Sequence, residues 1–66
     1  MAFESRVLSV VAEVTDAYAY FFNGTMFLES DDNALAVRVL KALESNLTCG
    51  IMFSKAGRSE IAYDFI

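Results

Sequence analysis

The sequence predicts a two-layer α+β fold, in which an antiparallel sheet of four to five strands carries one or two helices on a single face. Three observations support this class. Asn23-Gly24 separates two apolar segments, which is typical of a β-hairpin. Residues 32–47 have the apolar spacing of an amphipathic helix, and a second pair of strand-like segments follows them. Residues 1–66 therefore form one compact domain, with the order αββαββ favoured and βββαββ as the alternative.

The first segment, residues 4–15, carries conflicting signals. Helical spacing places six apolar side chains on one face: Phe3, Val7, Val10, Val11, Val14 and Tyr18. Four of the eight residues from Val7 to Val14 are valines, however, and β-branched side chains favour strands. Strict alternation is absent because Val10 and Val11 are adjacent, so the helix is the preferred interpretation.

The strand before Asn23-Gly24 has no polar face. Asn-Gly tolerates the two positive φ angles of a type I′ turn, so the chain is expected to reverse there. Successive side chains along a strand point to opposite faces. One face therefore carries Ala17, Ala19 and Phe21, and the other carries Tyr18, Tyr20 and Phe22. One set must face the helices. If the aromatic set points outward, it forms an interface; if the alanine set does, the outer patch is flatter.

The second helix is predicted from Asp32 to Leu47. Its apolar face consists of Ala36, Val39, Leu40, Leu43 and Leu47, and Ser30 or Asp31 is expected to be the N-cap. Residues 49–54 and 60–66 then form a second hairpin around the polar stretch 55–58. In its last strand the apolar residues alternate with Glu60 and Asp64, which is the pattern of a half-buried strand.

The composition indicates association with another chain. Hydrophobic residues make up 56% of the 66 positions, against roughly 45–50% in typical soluble chains. A domain of this size has a small core, and its single cysteine, Cys49, offers no internal disulfide. We therefore expect a protein partner, self-association into a homo-oligomer such as a homodimer, or both.

The charge and the hydropathy of the sequence argue against direct nucleic-acid binding, secretion and membrane insertion. The net charge of −4 disfavours direct nucleic-acid binding, which depends on Lys and Arg neutralising phosphates. The sequence shows neither a secretory signal pattern nor an apolar run long enough to cross a membrane. The expected location is the cytoplasm, without membrane contact.

Few residues are available for catalysis or for binding a metal or cofactor. The absence of histidine removes every mechanism that uses imidazole as a base. Nothing near Cys49 in the sequence would activate its thiol, and the pair Asp31-Asp32 is explained by its place at a helix start. The three glycines do not form a phosphate-binding loop. We therefore expect a protein that is not an enzyme, with no cofactor and no metal.

These observations favour a protein-binding inhibitor or adaptor that uses an aromatic sheet face or an open strand edge. In its small size and acidic character the chain resembles proteins that phages and mobile elements encode to block host machinery, such as anti-CRISPR and other anti-defence proteins. The predicted partner interface consists of Tyr18, Tyr20, Phe22, Phe27, Glu29, Asp31 and Asp32, in which the three acidic residues also offer a mode of acidic mimicry.

Two alternative functions remain at this stage. The first is a homo-oligomer that binds a small anionic ligand between its subunits, through some of the cations Arg38, Lys41, Lys55 and Arg58. The second is a structural accessory subunit that completes a larger assembly.

Overall fold

A computed structural model describes residues 2–66. It has the element order αββαββ, with helices α1 (Phe3–Val14) and α2 (Asn33–Asn46) and strands β1 (Ala19–Phe22), β2 (Thr25–Glu29), β3 (Ile51–Lys55) and β4 (Glu60–Phe65). The favoured prediction of an α+β fold is therefore confirmed, with four strands and two helices.

The first segment is a helix because its valines pack together on one side. Val7 and Val11 of α1 are buried in the core, while Glu4 and Glu13 are exposed. Each β-branched residue makes a helix less stable by only about 0.5 kcal/mol relative to alanine. Burial of the apolar face of α1 outweighs this cost, because most of the stability of a helix in a protein comes from packing.

Helix α2 begins one residue later than predicted and has a different cap. Asp32 is the N-cap, and its Oδ1 accepts hydrogen bonds from the backbone N–H groups of Ala34 (2.9 Å) and Leu35 (3.3 Å). The predicted caps, Ser30 and Asp31, were wrong. Ser30 instead accepts a hydrogen bond from the Asp32 N–H at 3.1 Å, which shapes the chain just before the cap.

The strands form one antiparallel sheet in the order β1-β2-β4-β3. The first hairpin turns at Asn23 and Gly24, whose φ angles of 51° and 81° fit the predicted type I′ turn. The second hairpin is shifted slightly from the predicted segments, since β3 begins at Ile51 rather than Cys49 and extends to Lys55. Helix α2 separates the two hairpins in the chain, yet β2 and β4 pair at the centre of the sheet.

Both helices cover the same face of the sheet, which we call the core face. Val7, Val11, Val39 and Leu43 of the helices share one hydrophobic cluster with the inward side chains of the strands, among them Met26, Leu28, Ile51, Ile61 and Tyr63. The Tyr63 hydroxyl donates a 2.8 Å hydrogen bond to the Ala36 carbonyl oxygen of α2. This buried bond joins the sheet to the helical layer.

Candidate functional site

The opposite face of the sheet is covered by neither helix. We call it the outer face, and the strand register places on it Tyr18, Tyr20, Phe22, Thr25, Phe27, Glu29, Met52, Ser54, Glu60, Ala62 and Asp64. Tyr18 is 62% exposed, Phe22 63% and Met52 60%. The aromatic set of β1 therefore points outward and the alanine set inward, which decides between the two orientations that the sequence left open.

Three rings on the outer face form a ladder. The ring centroids of Tyr18 and Tyr20 lie 5.5 Å apart, and those of Tyr20 and Phe27 lie 5.4 Å apart. Both pairs are stacked, with interplanar angles of 26° and 21°. Stacked pairs of this kind contribute about 0.5–1.5 kcal/mol beyond area burial, so stacking helps to hold the ring ladder of Tyr18, Tyr20 and Phe27 in place.

Two carboxylates on the outer face are oriented by hydroxyl groups. The Tyr20 hydroxyl donates to Glu60 Oε2 at 2.5 Å, and the Thr25 hydroxyl donates to Asp64 Oδ1 at 2.7 Å. The hydrogen bond to Glu60, with smaller effects of desolvation and of the charges on Glu60 and Glu29, raises the pKa of Tyr20 to about 12. Tyr20 therefore keeps its proton to a higher pH than a free tyrosine, and its hydrogen bond orients both the ring and the Glu60 carboxylate.

The predicted interface residues fall into two groups. Tyr18, Tyr20, Phe22, Phe27 and Glu29 lie together on the outer face.

The other two predicted residues, Asp31 and Asp32, lie in the connection between β2 and α2. Asp32 is engaged as the N-cap, and the Asp31 carbonyl oxygen accepts a 3.2 Å hydrogen bond from Lys55 Nζ. The structure does not bring these two residues into the ring ladder.

Sequence reasoning missed Glu60, Asp64 and Met52 as members of this surface. In the sequence, Glu60 and Asp64 alternate with Ile61, Tyr63 and Phe65. This alternation already placed the two acidic residues on the polar side of β4. What the sequence did not show is that β4 pairs with β2. That pairing puts Glu60 opposite Glu29 and next to the ring ladder.

The open edge of β1 is a second surface that a partner strand can use. The Glu29 N–H donates to the Tyr18 carbonyl oxygen at 2.8 Å, and hydrogen-bonded positions alternate along an antiparallel pair. Tyr20 and Phe22 are therefore the next positions whose backbone groups face β2. The N–H and C=O groups of Ala19 and Phe21 consequently point away from the sheet, as they do on any edge strand.

The remaining candidate groups are dispersed. Arg38 and Lys41 are exposed on α2, whereas Lys55 and Arg58 lie at the β3–β4 hairpin. None of these four lines either of the two cavities described, one beside α1 and β1 and one around Cys49. Among residues 2–66 there is also no group of three or more metal-ligating side chains.

No helix in the described part of the chain combines the length and apolar character needed to cross a membrane. A comparison with protein-family models, with curated proteins and with solved structures finds no match to this chain.

Proposed function

We propose that this chain is a small non-enzymatic protein that binds another protein through its outer face and acts as an inhibitor or adaptor. The observation that carries the proposal is the exposure of Tyr18, Phe22 and Met52, each at least 60%, on one continuous sheet face. Monomeric proteins expose contiguous apolar patches of this kind mainly where something binds. Aromatic residues and Met are also the types enriched at interfaces.

The ring ladder gives this face the properties of a binding hot spot. Large aromatic side chains dominate interface energetics when they are desolvated at the centre of the contact. Because Tyr20 is already stacked on both sides and hydrogen-bonded to Glu60, little rotamer entropy is lost when a partner covers it.

The proposal includes a biological setting. We propose a cytoplasmic protein, encoded by a phage or mobile element, that blocks a host defence factor in the manner of anti-CRISPR proteins. The small size, the acidic charge and the absence of histidine support a binding role over a catalytic one.

A photo-crosslinking amino acid tests the proposal when it replaces Met52, which is exposed on the outer face. The matched control places it at Val37, which is 39% exposed on α2. We expect a defined adduct with one host protein from position 52 only. That protein, once purified, should bind the chain directly and lose activity on binding.

The double variant Tyr20→Ser/Phe22→Ser should abolish both the adduct and the inhibition, whereas Val37→Ser should change neither. Circular dichroism checks that the variants fold, and Phe22→Ser alone keeps the test valid if the double variant unfolds. Binding that survives the loss of Phe22 and Tyr20, or equal crosslinking from both positions, would remove the outer face as the binding surface.

Self-association is the competing candidate, and the same exposed face favours it. A crosslink from position 52 to a second copy of the chain, with no other partner, would support the homo-oligomer instead. The charges on the outer face argue against this outcome.

A further inference from the structure

The outer face places two glutamates directly opposite each other. Glu29 on β2 pairs in register with Glu60 on β4. The Glu29 N–H is bonded towards β1, and the Glu60 carbonyl oxygen accepts from Ala56 at 2.8 Å on the β3 side. Both residues thus turn these backbone groups away from each other, which makes them a non-hydrogen-bonded pair, the type with the shortest cross-strand distance.

Like charges at directly opposed positions of two strands destabilise a sheet. The Tyr20 hydroxyl relieves part of this repulsion by donating to Glu60. Glu29 is exposed and has no corresponding side-chain donor among the hydrogen bonds described. A cation placed between the two carboxylates would remove the remaining repulsion, so the pair favours a positively charged partner group.

The Lys and Arg side chains of the described residues lie away from the outer face, so a binding partner is the expected source of the cation. The chain has five Lys and Arg residues in total. Arg6 lies on α1, Arg38 and Lys41 on α2, Lys55 at an inward-facing position of β3, and Arg58 in the β3–β4 turn. Among residues 2–66, the outer face therefore has three acidic side chains, Glu29, Glu60 and Asp64, and no Lys or Arg side chain.

The same charges disfavour a second copy of this chain as the occupant. Two outer faces packed against each other would oppose three carboxylates with three carboxylates, without a counter-charge. Juxtaposed like charges at an interface cost several kcal/mol. A partner with a basic surface has the complementary charge.

The aromatic rings select among basic groups. The Tyr18 carbonyl oxygen accepts a hydrogen bond from the Glu29 N–H. Tyr18 is 62% exposed and lies at the end of the ring ladder opposite to Phe27. A planar guanidinium stacks on such a ring and at the same time donates to carboxylates, whereas an ammonium group lacks this planar fork. The site between Tyr18, Glu29 and Glu60 therefore fits an arginine side chain better than a lysine.

We propose that the partner presents a basic surface and places an arginine between Glu29 and Glu60, stacked against the ring ladder. This inference rests on the proposed function, because it names the chemistry of the protein that the outer face binds. It also predicts that binding weakens with salt, since rim and carboxylate contacts are screened.

A peptide titration followed by nuclear magnetic resonance tests the inference. The probe is a blocked peptide in which arginine alternates with threonine, added to isotope-labelled protein. The control peptides carry citrulline, an uncharged isostere, or lysine in place of arginine. We expect saturable shifts at the amides of Tyr18, Glu29 and Glu60 with the arginine peptide, weaker binding with lysine, and none with citrulline.

The variant Glu29→Gln/Glu60→Gln should weaken peptide binding by about tenfold or more, because both carboxylates lose the charge that strengthens their hydrogen bonds to the arginine. The matched control is Glu13→Gln/Glu44→Gln, which removes two exposed glutamates from the helices and should leave binding unchanged. Shifts elsewhere, equal binding of the citrulline peptide, or equal losses in both variants would overturn the inference.

The two proposals fail in different ways. If the crosslinked partner binds through Tyr20 and Phe22 but the arginine peptide does not bind, the proposed function stands and the basic partner is rejected. If neither binds at the outer face, both proposals are wrong.

Discussion

The two faces of the sheet carry similar side chains but have different surroundings. On the core face Tyr63 is 0% exposed beneath α2, while on the outer face Tyr18 is 62% exposed. Both faces contain stacked rings, Phe21 with Phe65 inside and Tyr20 with Tyr18 and Phe27 outside. The difference arises because two helices cover one face, whereas none of the elements in residues 2–66 covers the other.

In this sheet, burial of an apolar strand side chain depends on whether a helix covers that face, and not on the hydrophobicity of the strand alone. The Ala19 and Phe21 side chains are partly buried and pack against the core cluster on the face that the helices cover. Tyr18, Tyr20 and Phe22 remain outside, where the hydroxyl groups of the two tyrosines can stay in contact with water.

The largest expected effect comes from truncating one side chain on each face. Leu28→Ala removes a fully buried side chain of β2 and should lower the free energy of unfolding by about 2–5 kcal/mol. Phe22→Ala removes a side chain that is 63% exposed, and should cost less than about 1 kcal/mol. Chemical denaturation of the two variants measures the difference. Similar losses would mean that the outer face is part of the folding core.

Alkaline pH affects one tyrosine on each face, and the cause of the raised pKa differs between them. Burial raises the pKa of Tyr63 to about 12, and the hydrogen bond to Glu60 is the main cause of the same rise at Tyr20. Each phenol keeps its proton in the folded state after the unfolded chain has begun to lose it. Their contribution to stability is therefore complete below pH 10, the ordinary pKa, and is lost as the pH rises towards 12.

Two conservative variants separate these contributions. Tyr63→Phe should cost about 1 kcal/mol at neutral pH, because the buried hydrogen bond to the Ala36 carbonyl oxygen is lost, and should weaken the alkaline dependence. Tyr20→Phe should weaken the same dependence with a smaller change at neutral pH. Unfolding curves recorded across the alkaline range provide the measurement. An unchanged pH dependence in both variants would contradict the assigned causes.

Much of the fold follows from local patterns in the sequence. Asn23-Gly24 located the first hairpin, and apolar spacing located α2 to within a residue at each end. The adjacent pair Asp31-Asp32 did not reveal which residue is the cap, since either has the required side chain. For α1, local propensity and periodicity disagreed, and packing of Val7 and Val11 against α2 and the sheet decided the outcome.

The candidate site was predicted only in part. The alternation along β1 identified Tyr18, Tyr20 and Phe22 as one set, but the choice of the outward set depends on where the helices pack. Glu60 was missed because its proximity to Glu29 arises from the pairing of β2 with β4, which are separated in the chain by α2 and β3. Non-local pairing of this kind leaves no signal in the spacing of residues along one strand.

The most direct test of the central claim is the absolute mass of the isolated protein, measured by light scattering after size exclusion over a wide range of concentrations at low salt. If the outer face is reserved for a basic partner, its carboxylates keep copies apart and the mass stays at 7.3 kDa throughout. A stable dimer that Tyr20→Ser/Phe22→Ser converts to monomer would contradict the account, because the outer face would then be occupied by the protein itself.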